Sequence, residues 1–254
     1  MKELQLTVLS NQLIAKNIYE MQFALPNDLC IKSGQFLSIT TGSKQHLLRR
    51  PFAIASIEKD VFSICYQLKG SGTQSLQEVK VGETLNAVLP LGNYFLVDNG
   101  YKKVAVIGGG VGIFPLLAFA KEYEKNLQIH SYIGFRSADY RCKVDDFQAC
   151  TKTTFTTDDG SFGVKGNVIE AFLKDFEKEN FDAVYACGPT SMLRALKESF
   201  KANSIKIPCF VSLEERMGCG IGACLVCVCK GENADTNFRV CKDGPVFKMD
   251  KVVL

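Results

Sequence analysis

Long apolar runs are missing from this 254-residue chain, and so is any large excess of one charge. No stretch approaches the roughly 20 apolar residues that span a bilayer. Its 30 basic and 27 acidic residues leave a net charge of +3. The basic ones are scattered rather than gathered into a stripe, which speaks against a nucleic-acid surface. The N-terminus, MKELQLTVLSNQLIAKNIYEMQF, has neither the continuous apolar stretch nor the small-residue cleavage site of a secretion signal. A cytoplasmic location is therefore expected. Histidine is nearly absent: His46 and His130 are isolated and neither is placed as a base. With no acid–base dyad in view, no catalytic side chain is assigned. Internal repeats and low-complexity linkers are missing too.

Cysteine is plentiful instead. Eleven in a chain without a secretion signal, an odd number, do not read as a disulfide framework. Cys30, Cys65, Cys142, Cys150, Cys187 and Cys209 lie far apart and read mostly as small buried hydrophobes. The other five crowd between residues 219 and 241.

The chain divides into three by pattern. Residues 1–98 read as all-β: LQLTVLSNQLI, IYEMQFAL, GQFLSITT, PFAIASI, VFSICYQLK and TLNAVLPLG are short apolar runs punctuated by Pro and Gly. Helical spacing is scarce there apart from TQSLQEV. Strands at this interval predict a small barrel. Residues 99–210 alternate strands (KKVAVIGGG, QIHSYIGF, TTFTT, FDAVYACG, IPCFVSL) with helices (GIFPLLAFAKEYEKN, VDDFQAC, GNVIEAFLKDFEKE, TSMLRALKESFKAN). Val168, Ala171, Phe172 and Phe176 share one helix face. That alternation predicts a parallel, doubly wound α/β sheet. Residues 211–254 form a small third unit with too little apolar mass to fold alone without a staple.

The crowded cysteines supply a staple. Cys219, Cys224, Cys227 and Cys241 are spaced C-x4-C-x2-C-x13-C. That opening, with a later fourth cysteine, is the spacing of plant-type [2Fe–2S] sites. A tight loop gives three thiolates and a distant strand the fourth. Gly218, Gly220 and Gly222 let backbone N–H groups approach the cluster sulfides. Structural zinc prefers two separated C-x2-C pairs, a poorer match to this asymmetry. Buried free thiols are the third reading. Cys229 would point the same way as Cys227 in an extended segment and competes with it as a ligand, although the spacing favours Cys227.

Four other stretches have the chemistry of nucleotide loops. VAVIGGGVGIFPLL ends a strand and opens a helix, so Gly108, Gly109, Gly110 and Gly112 can bring N–H groups and a helix N-terminus to a pyrophosphate. It does not fit G-x-G-x-x-G in register, because Phe114 and Pro115 fall where that motif's helix begins. Cys187, Gly188 and Pro189 sit at the C-terminal end of a predicted strand, the edge where open α/β sheets bind ligands. LLRRPFAIAS places Arg49 and Arg50 in an apolar strand, and the arginine fork suits phosphate oxygens. Gly70 to Thr73 form a second glycine-rich turn opening a short helix. Each stretch alone also reads as an ordinary turn or a surface pair.

Together they resemble the ferredoxin–NADP reductase superfamily, with its order of barrel then nucleotide domain. RRPFAIAS resembles its flavin motif, arginine-x-aromatic-serine; GSGT resembles its flavin-phosphate loop; GGGVGIFPL and ACGP resemble its nicotinamide-nucleotide motifs. The tail SLEERMGCGIGACLVCVC resembles the electron-transfer subunits of class 1B dihydroorotate dehydrogenases. The resemblance covers essentially the whole chain. It implies a multidomain α+β protein: a flavin-binding β-barrel, an α/β nucleotide-binding domain and a small iron–sulfur domain, carrying FAD, NAD (as NADH) and a [2Fe–2S] cluster. Carried over by position, Arg50, Pro51, Phe52 and Ala53 form the first flavin loop, with Arg49 a rival for Arg50. Cys65, Tyr66 and Gln67 lie along the flavin, and Gly72 and Thr73 hold its phosphate. Ala53 departs from the motif's serine or threonine and loses a side-chain hydrogen bond. Cys187 sits near the flavin–nicotinamide junction in a positioning role.

A nicotinamide gives electrons in pairs as hydride and a cluster takes them singly. A flavin does both, so the implied cofactors form an ordered relay. The implied partner is a separate FMN-containing dihydroorotate dehydrogenase catalytic subunit, in a heterotetramer of two of each, serving pyrimidine biosynthesis. Rival readings are the flavin/iron–sulfur subunit of an NADH-dependent ferredoxin–NADP oxidoreductase or hydrogenase complex, and a zinc-stapled nucleotide-sensing interaction protein. Arg136 and Ser137 stand where a 2′-phosphate would meet the second strand of the nucleotide domain. The resemblance favours NADH.

Overall fold

A computed structural model of the chain describes residues 1–233 and 235–254. Six antiparallel strands come first: β1 (Lys2–Ala15), β2 (Ile18–Ala24), β3 (Phe36–Ile39), β4 (Arg50–Glu58), β5 (Val61–Gln67) and, after the short helix α1 (Ser71–Gln77), β6 (Thr84–Leu91). They close a barrel in the order β1-β2-β5-β4-β3-β6. Period-2 alternation explains the closure. In β6, Leu85, Ala87, Leu89 and Leu91 are buried while the residues between them are not. Leu6, Val8, Met21, Phe23, Leu37, Ile39, Phe62 and Ile64 fill the interior with Leu85, Ala87 and Leu89.

The nucleotide-domain elements follow as β7 (Lys103–Gly109), α2 (Ile113–Tyr123), β8 (Gln128–Phe135), α3 (Val144–Cys150), β9 (Lys152–Thr157), β10 (Val164–Lys165), α4 (Val168–Glu179), β11 (Ala183–Cys187), α5 (Thr190–Ala202) and β12 (Cys209–Ser212). The sheet runs β10-β9-β8-β7-β11-β12 in parallel pairs. Strand order reverses between β7 and β11, which opens a crevice at their carboxyl ends. β7 is almost wholly buried, as expected of a strand covered on both faces. Phe172 of α4 stacks among Tyr132, Phe176, Phe181 and Phe200. The Asn167 side chain caps α4 by accepting from the N–H groups of Ile169 and Glu170.

Barrel and sheet share a core. Ile18, Ala55 and Cys65 of the barrel pack with Ile113, Phe114, Leu117, Ile133 and Phe135. Ion pairs Lys143–Glu20 (2.8 Å) and Lys121–Glu58 (2.9 Å) cross the same boundary.

The tail departs from a free-standing unit. It contributes β13 (Val228–Lys230), β14 (Asn237–Arg239), the helical turn α6 (Val240–Asp243) and β15 (Val246–Lys248). β15 pairs antiparallel with β12 as the seventh strand of the central sheet. Asn93, just past the barrel, grips it: its amide donates to the Val246 carbonyl (2.8 Å) and accepts from the Val246 N–H (2.9 Å). Cys227, Cys229 and Cys241 join the core that holds Ile107, Ala186 and Val211 of the sheet and Phe36 and Leu91 of the barrel. Among the described residues, no helix is long and apolar enough to cross a membrane.

His130 has a structural place. It is buried in β8, with Nε2 against the Thr154 hydroxyl (3.1 Å) and Nδ1 against the Tyr132 hydroxyl (3.1 Å). Burial first, then the Lys152 charge, lower it to about 4 from its ordinary 6.5, against the opposing pull of Glu179 and Asp175. The unfolded chain therefore binds the extra proton between pH 6.5 and 4. This contribution to stability is complete above pH 6.5 and is lost as pH falls through that window. Urea unfolding at pH 7 and pH 5 should show a larger drop in midpoint for the native chain than for His130→Gln; equal drops would remove His130 as the cause.

Candidate cofactor cleft and thiol cage

The crevice at the strand reversal opens into a cavity of about 1010 Å³ between barrel and sheet. That is the upper end of the range for ligand pockets, which runs to about 1,000 Å³. From the barrel, Pro51, Phe52, Ala53, Cys65 and Gln67 line it. Tyr66 does not: alternation along β5 turns its ring into the barrel, where its hydroxyl donates to Asn11 Oδ1 (2.8 Å).

The two arginines separate. Arg49 is tied to Asn86 and Glu3. Arg50 lies over the glycine turn, where a Cβ on Gly72 would come within 2.8 Å of its Nε. Thr73 is occupied with its own helix, its hydroxyl accepting from the N–H groups of Lys69 and Gly70 and donating to the Gly70 carbonyl. Neither Gly72 nor Thr73 lines the cavity, but Lys69 does.

Across the cleft, Gly109, Gly110 and Gly112 line the wall, and Cys187, Gly188 and Pro189 face them. Gly108 does not line the cavity, and a Cβ there would press on Ile113, Leu116 and Ile133 at 3.1–3.2 Å. Gly112 is a site of close approach: a Cβ there would lie 2.5 Å from the Cys187 carbonyl and the Gly188 nitrogen. Met192 of α5 bridges the loops, pressing on both Gly109 and Gly188. Burial pushes the Cys187 thiol up to about 12, with a Ser212 side-chain hydrogen bond opposing. It stays protonated at neutral pH, which suits positioning rather than nucleophilic attack. Arg136, Tyr140 and Asp158 also line the cleft, with the Arg136 guanidinium over the Tyr140 ring.

No motif singled out Lys69 or Met192, nor Glu214, Glu215 and Met217 from the start of the tail, which also line the cleft. The only available hint for the last three was adjacency to the cysteine loop.

Two residues past Met217 the thiols begin. They fall into two pairs. Cys219 Sγ accepts from the N–H groups of Ile221 (3.4 Å), Ala223 (3.3 Å) and Cys224 (3.4 Å), and the Cys219 N–H donates to Cys224 Sγ (3.4 Å). In the other pair the Cys241 N–H donates to Cys227 Sγ (3.4 Å). Positive φ at Gly220 and Gly222 turns the loop so that its amides face inward. Burial would raise the Cys219 thiol, but the amides of Ile221, Cys224 and Ala223 outweigh it and bring it down to about 6. Burial, followed by the Cys227 thiol, pushes Cys241 up to about 12. Cys229 sits on β13 opposite Phe238, packed into the core. Among the described residues, no three His, Cys, Asp or Glu side chains converge as ligands of a single metal ion. Two pairs suit two irons, each held by one pair.

Residues 214–253 match the family model for the iron–sulfur cluster binding domain of dihydroorotate dehydrogenase B, and residues 106–198 match the oxidoreductase NAD-binding domain. The chain is 38% identical to the dihydroorotate dehydrogenase B (NAD(+)) electron transfer subunit of Geobacillus sp. (strain WCH70), over 100% of both chains. It is 42% identical to that of Caldanaerobacter subterraneus subsp. tengcongensis, over 97% of this chain and 96% of the relative. The chain belongs to this family. It is thus an oxidoreductase electron-transfer subunit with an NAD-binding domain and an iron–sulfur domain, and the zinc-stapled reading gives way. A solved NADH-dependent reduced ferredoxin-NADP oxidoreductase superposes with a TM-score of 0.87 at 30% identity, covering 98% of this chain and 89% of that one. The Plasmodium falciparum ferredoxin-NADP+ reductase, at 14% identity and a TM-score of 0.65 over 84% of this chain and 96% of that one, shares the fold.

The approach at Gly112 yields a test. Gly112→Ala drives a methyl into the backbone of Cys187 and forces the two loops apart. Its affinity for NADH should fall about tenfold or more, with a lowered melting temperature, read by fluorescence titration and thermal unfolding; native affinity would mean the loops tolerate separation.

Proposed function

We propose that this chain relays electrons between NAD and a separate FMN-bearing dihydroorotate dehydrogenase subunit, through FAD in the cleft and a [2Fe–2S] cluster on Cys219, Cys224, Cys227 and Cys241. The observation that carries the reading is the shared wall. Ser212, Leu213, Glu214, Glu215 and Met217 line the cleft, and Cys219 follows two residues after the last of them. Two residues of chain span at most about 7 Å. Cleft and cage are therefore neighbours by covalent necessity.

When bound, FAD supplies exchange of electron pairs with nicotinamide and of single electrons with the cluster. The chain's residues do the rest by holding and excluding. Arg50, over the Gly70–Thr73 turn, places positive charge where the flavin phosphates belong. Pro51, Phe52 and Ala53 face the ring, with the Ala53 backbone in place of the usual hydroxyl. Cys65 and Gln67 lie along it. Gly109, Gly110 and Gly112 offer N–H groups to the nicotinamide nucleotide, and Cys187, Gly188 and Pro189 orient its ring. Asp158 lines the same cleft as Arg136 and brings a carboxylate that would oppose a 2′-phosphate, which favours NADH.

The cage opens outward. Ile221 (46% exposed), Leu225 (63%), Val226 (54%) and Val228 (37%) form an apolar collar around it. Leu225 holds a left-handed backbone at the tip (φ 58°), a strained state for a bulky residue. The collar suits docking of the catalytic subunit, which oxidises the substrate, in a heterotetramer of two of each. All eleven cysteines are free, which suits a reducing cytoplasm.

Anaerobic copurification with the catalytic subunit should yield FAD, FMN and two irons with two acid-labile sulfides per heterodimer, in yellow-brown protein bleached by NADH. Colourless protein with bound zinc would refute the relay. A large iron–sulfur partner in place of the FMN protein would favour the ferredoxin–NADP oxidoreductase alternative, to which the 30% identical solved structure lends weight. Leu225→Asp should weaken the association about tenfold or more by calorimetry while leaving NADH oxidation by a small artificial acceptor intact; unchanged affinity would move the interface elsewhere.

A further inference from the structure

Arg239 ends β14, one residue before the turn that carries Cys241. Its ladder partner is Val228, next to Cys227. The guanidinium forks onto Asp243, Nε to Oδ2 at 3.0 Å and Nη2 to Oδ1 at 3.0 Å, and the Arg239 N–H adds a bond to Oδ2 at 2.8 Å. The remaining arm, Nη1, points to the Gly222 carbonyl at 3.5 Å. Gly222 lies between Cys219 and Cys224, so one side chain touches both segments of the cage. Arg239 and Asp243 thus flank Cys241, each two residues from it. Both side chains are about one-third exposed (34% and 31%), and an ion pair so placed adds little to stability. Its position against an anionic group matters more.

We propose that the Arg239–Asp243 pair sets the reduction potential of the cluster, the guanidinium favouring the reduced state and the carboxylate opposing it. The proposal rests on the assignment of the cluster to Cys219, Cys224, Cys227 and Cys241. Reduction adds one electron and no atom to a group that is already negative. A nearby cation stabilises the added charge and a nearby anion repels it. Lys242, whose aliphatic stem lies over Gly222, is unchanged in every variant below and forms a constant background.

The test uses the full-length chain, reconstituted without oxygen and titrated with dithionite in the presence of redox dyes, the reduced cluster being counted by electron paramagnetic resonance. Arg239→Gln should lower the midpoint and Asp243→Asn should raise it. At an ambient potential fixed at the native midpoint, the reduced-to-oxidised ratio should fall several-fold in the first and rise several-fold in the second. Arg239→Lys, which keeps the charge and loses the fork, should stay near the native value. Unmoved midpoints, or shifts of the same sign in the Gln and Asn variants, overturn the proposal, since a purely structural role would give one of those. If Arg239→Gln holds no iron, the Asp243→Asn and Arg239→Lys midpoints decide on the same terms. Native protein that takes up neither iron nor sulfide overturns the cluster assignment itself, a result read before any titration.

Discussion

The short tether from Ser212 to Cys219 is the constraint on which the rest of the molecule depends. β12 ends at Ser212 on the ligand-binding edge of the central sheet, and the chain then has only six residues before the first thiol. Four of those six, Leu213, Glu214, Glu215 and Met217, wall the cleft on the way. The cage is thereby fixed to the same edge of the sheet as the crevice, and its loop lies against the barrel, with Gly220 close to Leu91 and Ser38. Three structural units meet at one place because one stretch of backbone serves two of them and leans on the third.

Electrostatics divide the cage into unlike halves. Cys219 lies with Cys224 in the open loop, where converging amides favour the Cys219 thiolate. Cys227 and Cys241 are buried, 2% exposed each, and burial favours the Cys241 thiol. Backbone N–H groups can hold negative charge at sulfur only where the loop's glycines let them turn inward. The sequence pays for that turning with Leu225, whose left-handed backbone closes the loop between Cys224 and Cys227.

Much of this was legible in the residues. Alternation along β6 and the unbroken apolar run of β7 after Lys103 distinguish a barrel strand from a doubly covered one without reference to any neighbour. Cysteine spacing separates a two-iron cage from a zinc site because ligand geometry dictates spacing. Other features were not legible. Tyr66 sits between two cleft residues but faces the barrel, because a stretch buried on both faces hides its alternation. Gly108 shares a motif with three cleft glycines yet packs against Ile113 and Ile133, and only the turn's geometry tells them apart. The strand β15 is three residues long, too short for periodicity to register, and its place beside β12 depends on Asn93, far away in sequence.

An open parallel sheet ends in a strand whose outer N–H and C=O groups seek partners, and here β15 covers β12. The cover comes from the cysteine-bearing tail, held in place by Asn93 on Val246 and by Phe247 and Met249 in the core. The segment that carries the thiols thus also seals the margin of the sheet, and a chain without it would present the bare edge of β12 to its neighbours.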